Sequence, residues 1–160
     1  MSQFTTCLCF DGTAKEAADF YVDVFRDLPG GARITGTELY PEGSPMPAGT
    51  VLTVSYELGG QRFLALNVDL GTTFTTATSL QVPCSTQAEI DRYWDALLAG
   101  GGVESWCGWL TDRFGFSWQV VTPEPIFRAA DSPEANARVN AALQSMRKLD
   151  LAALEAARAG

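Results

Sequence analysis

A chain of 160 residues is long enough for one domain, or for two small modules sharing a core, without disulfides or metals to staple it. Its 46% hydrophobic and 19% charged residues suit a globular protein, and no run of about 18 apolar residues is present to span a membrane. A net charge of -8 with no basic stripe argues against nucleic acid as a partner, and the lack of histidine excludes Ser-His-Asp triads, Cys-His dyads and imidazole-held metals.

The opening MSQFTTCLCFDG has neither the basic start nor the apolar stretch of a secretory signal, so a cytoplasmic location is expected. Residues 4–10 are a short apolar run and predict a buried strand, in which Cys7 and Cys9 share one face as two small buried hydrophobes. Asp11-Gly12-Thr13 breaks the run. Thr13 with Glu16 has the form of a capping box, in which each side chain satisfies an orphan backbone N–H. The helix that follows runs to about residue 26 with Ala17, Phe20, Tyr21, Val24 and Phe25 on one stripe, and Pro29-Gly30-Gly31 ends it. Residues 32–40 predict a second strand. The loop at 41–49, PEGSPMPAG, holds three prolines and two glycines, which cannot keep a ladder paired. Residues 50–57 and 62–67 then form a hairpin around Leu58-Gly59-Gly60-Gln61.

The order restarts after a polar stretch. Residues 78–83 predict a strand, Thr86 with Glu89 a second capping box, and the next helix stops at Gly100-Gly101-Gly102. Residues 103–110 supply one or two strands and 116–122 the last, with a turn at 111–115. The capping threonines, 13 and 86, are 73 positions apart, as are the capping glutamates, 16 and 89. The hairpins correspond as well, YELGGQRFLALN with WLTDRFGFSWQV, at an offset of 55 set by Gly60 and Gly115. Agreement of helix, gap and hairpin in order predicts two βαβββ units, residues 1–76 and 77–123. In the tail, residues 124–160, Ser132-Pro133 is a helix start and Val139, Leu143, Met146, Leu149, Leu151 and Leu154 recur near helical spacing.

Three of the four tryptophans fall in WCGWLTDRFGFSWQVV, residues 106–121. If Phe116, Trp118 and Val120 face the helices, Gln119 faces the opposite side of the sheet as a cleft-lining polar group. Trp106, Trp109 and Trp118 read as core and hairpin packing, with ligand contact as the alternative, so Trp106 joins the candidate ligand contacts. Asp112 caps its own turn. Cys107 reads as an inert structural thiol or, with Arg113 nearby, as a nucleophile; Cys7 raises the same question. The four cysteines show no metal spacing and are expected as free thiols.

Together CLCFDGTAKEAADFY, SLQVPCSTQAEIDRYWDALLAGG, CGWLTDRFGFSWQVV and MRKLDLAALEAARAG resemble the PhnB-like branch of the glyoxalase/bleomycin-resistance (vicinal oxygen chelate) superfamily. Members of this branch often carry the label 3-demethylubiquinone-9 3-methyltransferase domain. The resemblance implies an α+β fold in which two βαβββ modules form a curved, eight-stranded mixed sheet around a cleft, commonly in a homodimer. It also implies a divalent metal as cofactor, held from the first and fourth strands of each module. Those positions fall near Thr6 or Cys7, near Ala65, near Ser79 or Gln81, and at Gln119. Gln119, with Gln81 second, is of a suitable ligand type. Cys7, Gln81, Trp106, Cys107 and Gln119 are thus the candidate ligand-binding residues, with Cys7 and Gln119 the candidates for catalysis.

The function expected on this basis is binding of a small, partly apolar organic molecule, with metal-assisted isomerase, lyase or dioxygenase chemistry as its enzymatic form. Ligand sequestration without catalysis is the alternative. Methyl transfer rests on the label alone, since GxGxxG does not occur and the strands group as antiparallel hairpins.

Overall fold

The computed structural model describes residues 4–69, 71 and 73–160, in two compact units that divide between residues 72 and 73. The first unit contains β1 (Thr6–Phe10), α1 (Ala14–Val24), β2 (Ala32–Leu39), β3 (Val51–Leu58) and β4 (Gln61–Asn67). The second contains β5 (Ser79–Pro83), α2 (Gln87–Leu98), β6 (Val103–Glu104), β7 (Trp109–Thr111) and β8 (Ser117–Val121), followed by α3 (Pro133–Ser145) and α4 (Leu151–Ala159). Each unit builds a four-stranded mixed sheet of one connectivity, β1-β4-β3-β2 and β5-β8-β7-β6. The first and last strands of each unit pair in parallel and the other pairs are antiparallel. The βαβββ repeat and the α+β class are therefore present in the fold. No helix among the described residues is long and apolar enough to cross a membrane.

Period-two alternation decides which side chains meet the helix. In the first unit the Tyr21 and Tyr56 rings lie 6.2 Å apart, Tyr56 stacks on Phe63 at 5.2 Å, and the Ala14 N–H donates to Asn67 Oδ1 at 2.9 Å. Leu8, Phe10, Tyr56, Phe63, Ala65 and Asn67 therefore lie buried under α1. Cys7 and Cys9 point the other way, Cys7 exposed and Cys9 half-buried, which corrects the expectation of a buried pair. Leu8 and Phe10 supply the apolar face of this strand, so the cysteines have no helix above them. The β3–β4 connection is a two-residue turn, Gly59-Gly60, with φ of 56° and 85°; two left-handed residues in succession are what so tight a hairpin needs.

The two helices start differently. At α2, Thr86 is extended and its hydroxyl accepts from the Glu89 N–H at 3.2 Å, while the Glu89 carboxylate accepts from the Thr86 and Ser85 N–H groups at 3.0 and 2.7 Å. This is the capping box in full. Thr13 sits at φ -105°, ψ 12° and makes no side-chain capping bond. Asn67, at the end of β4, caps α1 instead and also donates to the Val51 carbonyl at 2.9 Å. A long-range strand end has displaced the local motif.

Candidate functional site

Trp118 opposes Leu110, Leu110 opposes Glu104, and Trp94 of α2 donates from Nε1 to Glu104 Oε1 at 3.1 Å. That chain of contacts marks the helix face of the second sheet, which also buries Phe116 and Val120. Asp112 is buried at the turn before β8. Its carboxylate accepts from the Phe114 and Phe116 N–H groups at 2.8 and 3.1 Å and from Trp118 Nε1 at 2.8 Å. The Asp112 carboxylate is therefore spent on holding β8 in place.

The helix-free face carries two rows across β5, β8 and β7. Ser79, Ser117 and Thr111 make one, and Gln81, Gln119 and Trp109 the next. Gln119 Nε2 donates to Ser79 Oγ at 2.7 Å, and Gln81 Nε2 donates to Gln119 Oε1 at 3.3 Å. A primary amide has two N–H donors and two acceptor lone pairs, so each glutamine retains capacity for further hydrogen bonds. Ser117 is 1% exposed, and its hydroxyl has no hydrogen-bond partner among the described residues. A buried orphan hydroxyl in a native sheet calls for a partner.

The other candidates stand elsewhere. Cys107 has φ 59°, the sole left-handed residue other than glycine among those described. Its N–H donates to the Met146 carbonyl at 2.8 Å, the Gly108 N–H donates to that of Arg147 at 2.7 Å, and its thiol reaches the Leu143 carbonyl at 3.5 Å. A Cβ on Gly108 would meet the Val120 carbonyl at 2.6 Å. Trp106 is 53% exposed, with the Arg147 guanidinium 4.6 Å above its ring. Trp106 and Cys107 thus meet the tail at residues 143–147, while Gln81 and Gln119 meet one another. Cys7 belongs to the first unit.

The register also refines the metal positions that the resemblance implied. Cys7 opposes Leu64 just as Gln81 opposes Gln119, so the counterpart of Gln119 in the first unit is Leu64, one residue before Ala65. Ala65 lies under α1. On the helix-free face of the second sheet the donors are the amides of Gln81 and Gln119 and the hydroxyls of Ser79, Ser117 and Thr111, without a carboxylate or imidazole. Hard divalent cations want several oxygen ligands with some anionic, so this set does not fit one. No group of three or more Cys, Asp or Glu able to hold a metal occurs among the described residues.

Two cavities lie apart from the amide row. One of about 420 Å³ lies between α4 and residues 122–128, walled by Ile126, Leu151, Leu154 and Cys84. Its arginines are engaged, Arg128 with Glu155 at 2.7 Å and Arg158 with Asp131 at 2.9 Å. Burial, and secondarily the nearby Glu89 charge, pushes the Cys84 thiol up to about 12. A second, of about 310 Å³ on the first unit, is lined by Thr35, Ser55, Glu57 and Arg62 among others; Glu57 pairs with Arg33 and, at 3.7 Å, with Arg62.

Paired βαβββ units with a helix on one face of each mixed sheet define a protein of the glyoxalase/bleomycin-resistance fold class. The chain belongs to the family described as 3-demethylubiquinone-9 3-methyltransferase, whose model matches residues 2–121. It is similar to a Bacillus cereus PhnB protein carrying the same description, at 34% identity and TM-score 0.66, over 76% of this chain and 99% of that one. A Pseudomonas aeruginosa protein shares the fold at 22% identity and TM-score 0.61, over 76% and 98% of the two chains. The fosfomycin resistance protein FosX of Mesorhizobium loti shares it at 11% identity and TM-score 0.51, over 77% and 92%. A search among curated proteins found no match.

Proposed function

We propose that the chain binds a small, partly apolar organic molecule bearing an oxygen function on the helix-free face of its second sheet. The observation that carries this is the row Gln81–Gln119–Trp109, two hydrogen-bonded amides beside a half-buried indole, with the orphan Ser117 hydroxyl in the adjacent row. Amides orient a carbonyl or hydroxyl by hydrogen bonds, and an indole supplies apolar area. Neither amide, hydroxyl nor indole titrates near neutral pH, so the row favours binding over general acid–base catalysis. Methyl transfer, named in the family description, needs a parallel sheet with a glycine-rich turn before a helix. The sheets are mixed and the helices start at Thr13 and Thr86, so we assign no S-adenosylmethionine site.

The test is a thermal-shift screen of aromatic and cyclic oxygen-bearing compounds in the presence of a chelator. A concentration-dependent rise in Tm is expected. Gln119→Ala should weaken the best compound about 3- to 10-fold, the value of one lost neutral hydrogen bond. No shift from any compound, or one indifferent to Gln81→Ala and Gln119→Ala alike, would overturn the reading. The reading includes a homodimer, supported by outer strands β2 and β6 that expose Leu39 and Val103 at 52% and 63%. Light scattering at micromolar concentration should give twice the mass of one chain; a monomer would sink that part.

A further inference from the structure

We propose that Cys7 and Cys9 together hold a single soft monovalent cation of the copper(I) class between their sulfurs. The two side chains stand on the helix-free face of β1, opposite Leu64 and Leu66 of β4. Both thiols are free, Cys7 exposed and Cys9 half-buried. Alternate residues on a strand are about 6.6 Å apart with parallel side-chain directions. A disulfide needs Cβ atoms roughly 3.5–4.5 Å apart, so the pair does not close on itself while β1 stays a strand. A cation with two metal–sulfur bonds of about 2.3 Å each spans roughly 4.6 Å, within reach of two rotating thiols.

Ligand type then selects the ion. Thiolates favour soft cations, and hard ones seek oxygen. Zinc wants four ligands, whereas the side chains opposite this pair are leucines, which offer none and form an apolar wall. A two-coordinate ion is the kind that is satisfied here. Cysteine is ordinarily a thiol at neutral pH. On binding, two S–H bonds break, two sulfur–metal bonds form and two protons pass to solvent, with no electron transferred. The site is independent of the ligand-binding reading, which concerns the other sheet.

The experiment titrates reduced protein anaerobically with copper(I) against a coloured copper(I) chelator. One equivalent per chain should leave the chelator, with about two protons released per ion in weakly buffered solution. Cys7→Ser and Cys9→Ser should each weaken binding more than about 100-fold, beyond what loss of an outer-shell partner does. Cys84→Ser and Cys107→Ser should leave it unchanged. Bound copper should also block iodoacetamide labelling of Cys7, read by mass spectrometry on wild-type protein, which needs no variant to fold. Failure of the wild-type chain to draw copper from the chelator, binding that survives in both Cys7→Ser and Cys9→Ser, or unprotected Cys7 would overturn the proposal.

Discussion

Asp112 shows how a single side chain fixes the last strand. Its buried carboxylate accepts three hydrogen bonds, two from its own turn and one from the Trp118 indole. Asp112→Asn keeps the shape but turns an N–H toward the indole N–H. The expected cost is about 1–3 kcal/mol, that of a buried donor left unmet, seen as a lower urea midpoint at unchanged slope. Trp118→Phe removes the opposing donor, so the double variant should cost less than the two singles summed. Additive losses would mean that the indole bond carries no weight. The capping role of Asp112 was legible because a turn aspartate bonding its own backbone is a local motif. Cys107 was not legible in the same way. Its left-handed φ answers to carbonyls at Met146 and Arg147, some forty residues onward, and nothing near position 107 announces them.

The same contrast governs the helices. Thr13 and Thr86 look alike in sequence, yet only Thr86 caps, because Asn67 reaches α1 first. Thr86→Ala should therefore cost about 1 kcal/mol, and Thr13→Ala less than about 0.5. Asn67→Ala should exceed both, since it loses the cap and leaves the Val51 carbonyl without this donor. Equal losses at the two threonines would refute this account. The Glu89 carboxylate adds a pH signature. Bonds from the Ser85 and Thr86 N–H groups hold its pKa below the ordinary glutamate value. The folded state thus binds this proton more weakly than the unfolded state. The contribution is complete above the unfolded glutamate value and lost as pH falls through the lowered folded one. The stability gap between wild type and Glu89→Gln should accordingly be full at neutral pH and close in acid; a gap independent of pH would show that the bonds do not discriminate charge. Strand and helix order could be read from the repeat, as could the alternation that sets Gln119 opposite the core. The bond from Gln119 to Ser79 could not, since it depends on the parallel register of β5 and β8.

At the scale of the whole chain, the tail is the part that lies beyond the family match. The family match ends at residue 121, and the Bacillus cereus chain is covered almost completely by 76% of this one. The amphipathic pattern announced the helices of the tail but not their attachment. That attachment is specific. Besides the carbonyls of Met146 and Arg147, Gln87 of α2 donates to the Leu149 carbonyl and accepts from the Leu151 N–H, both at 3.0 Å. Lys148 pairs with Asp91 at 2.8 Å, and the Leu149 side chain is buried beside Gly108. A chain ending at residue 122 keeps every strand of both sheets and should fold. It leaves the Cys107 and Gly108 N–H groups without their acceptors, the left-handed Cys107 without its compensation, and the Leu149 contact empty. Losses of this kind sum to roughly 2–4 kcal/mol, read as a fall in the urea midpoint of the second unit. Gln87→Ala in the full chain should reproduce about 1 kcal/mol of that loss, and in the shortened chain almost none of it. If truncation left the midpoint where it was, or if Gln87→Ala cost the same in both lengths, the tail would be an appendage rather than the outer layer of the second sheet's unit.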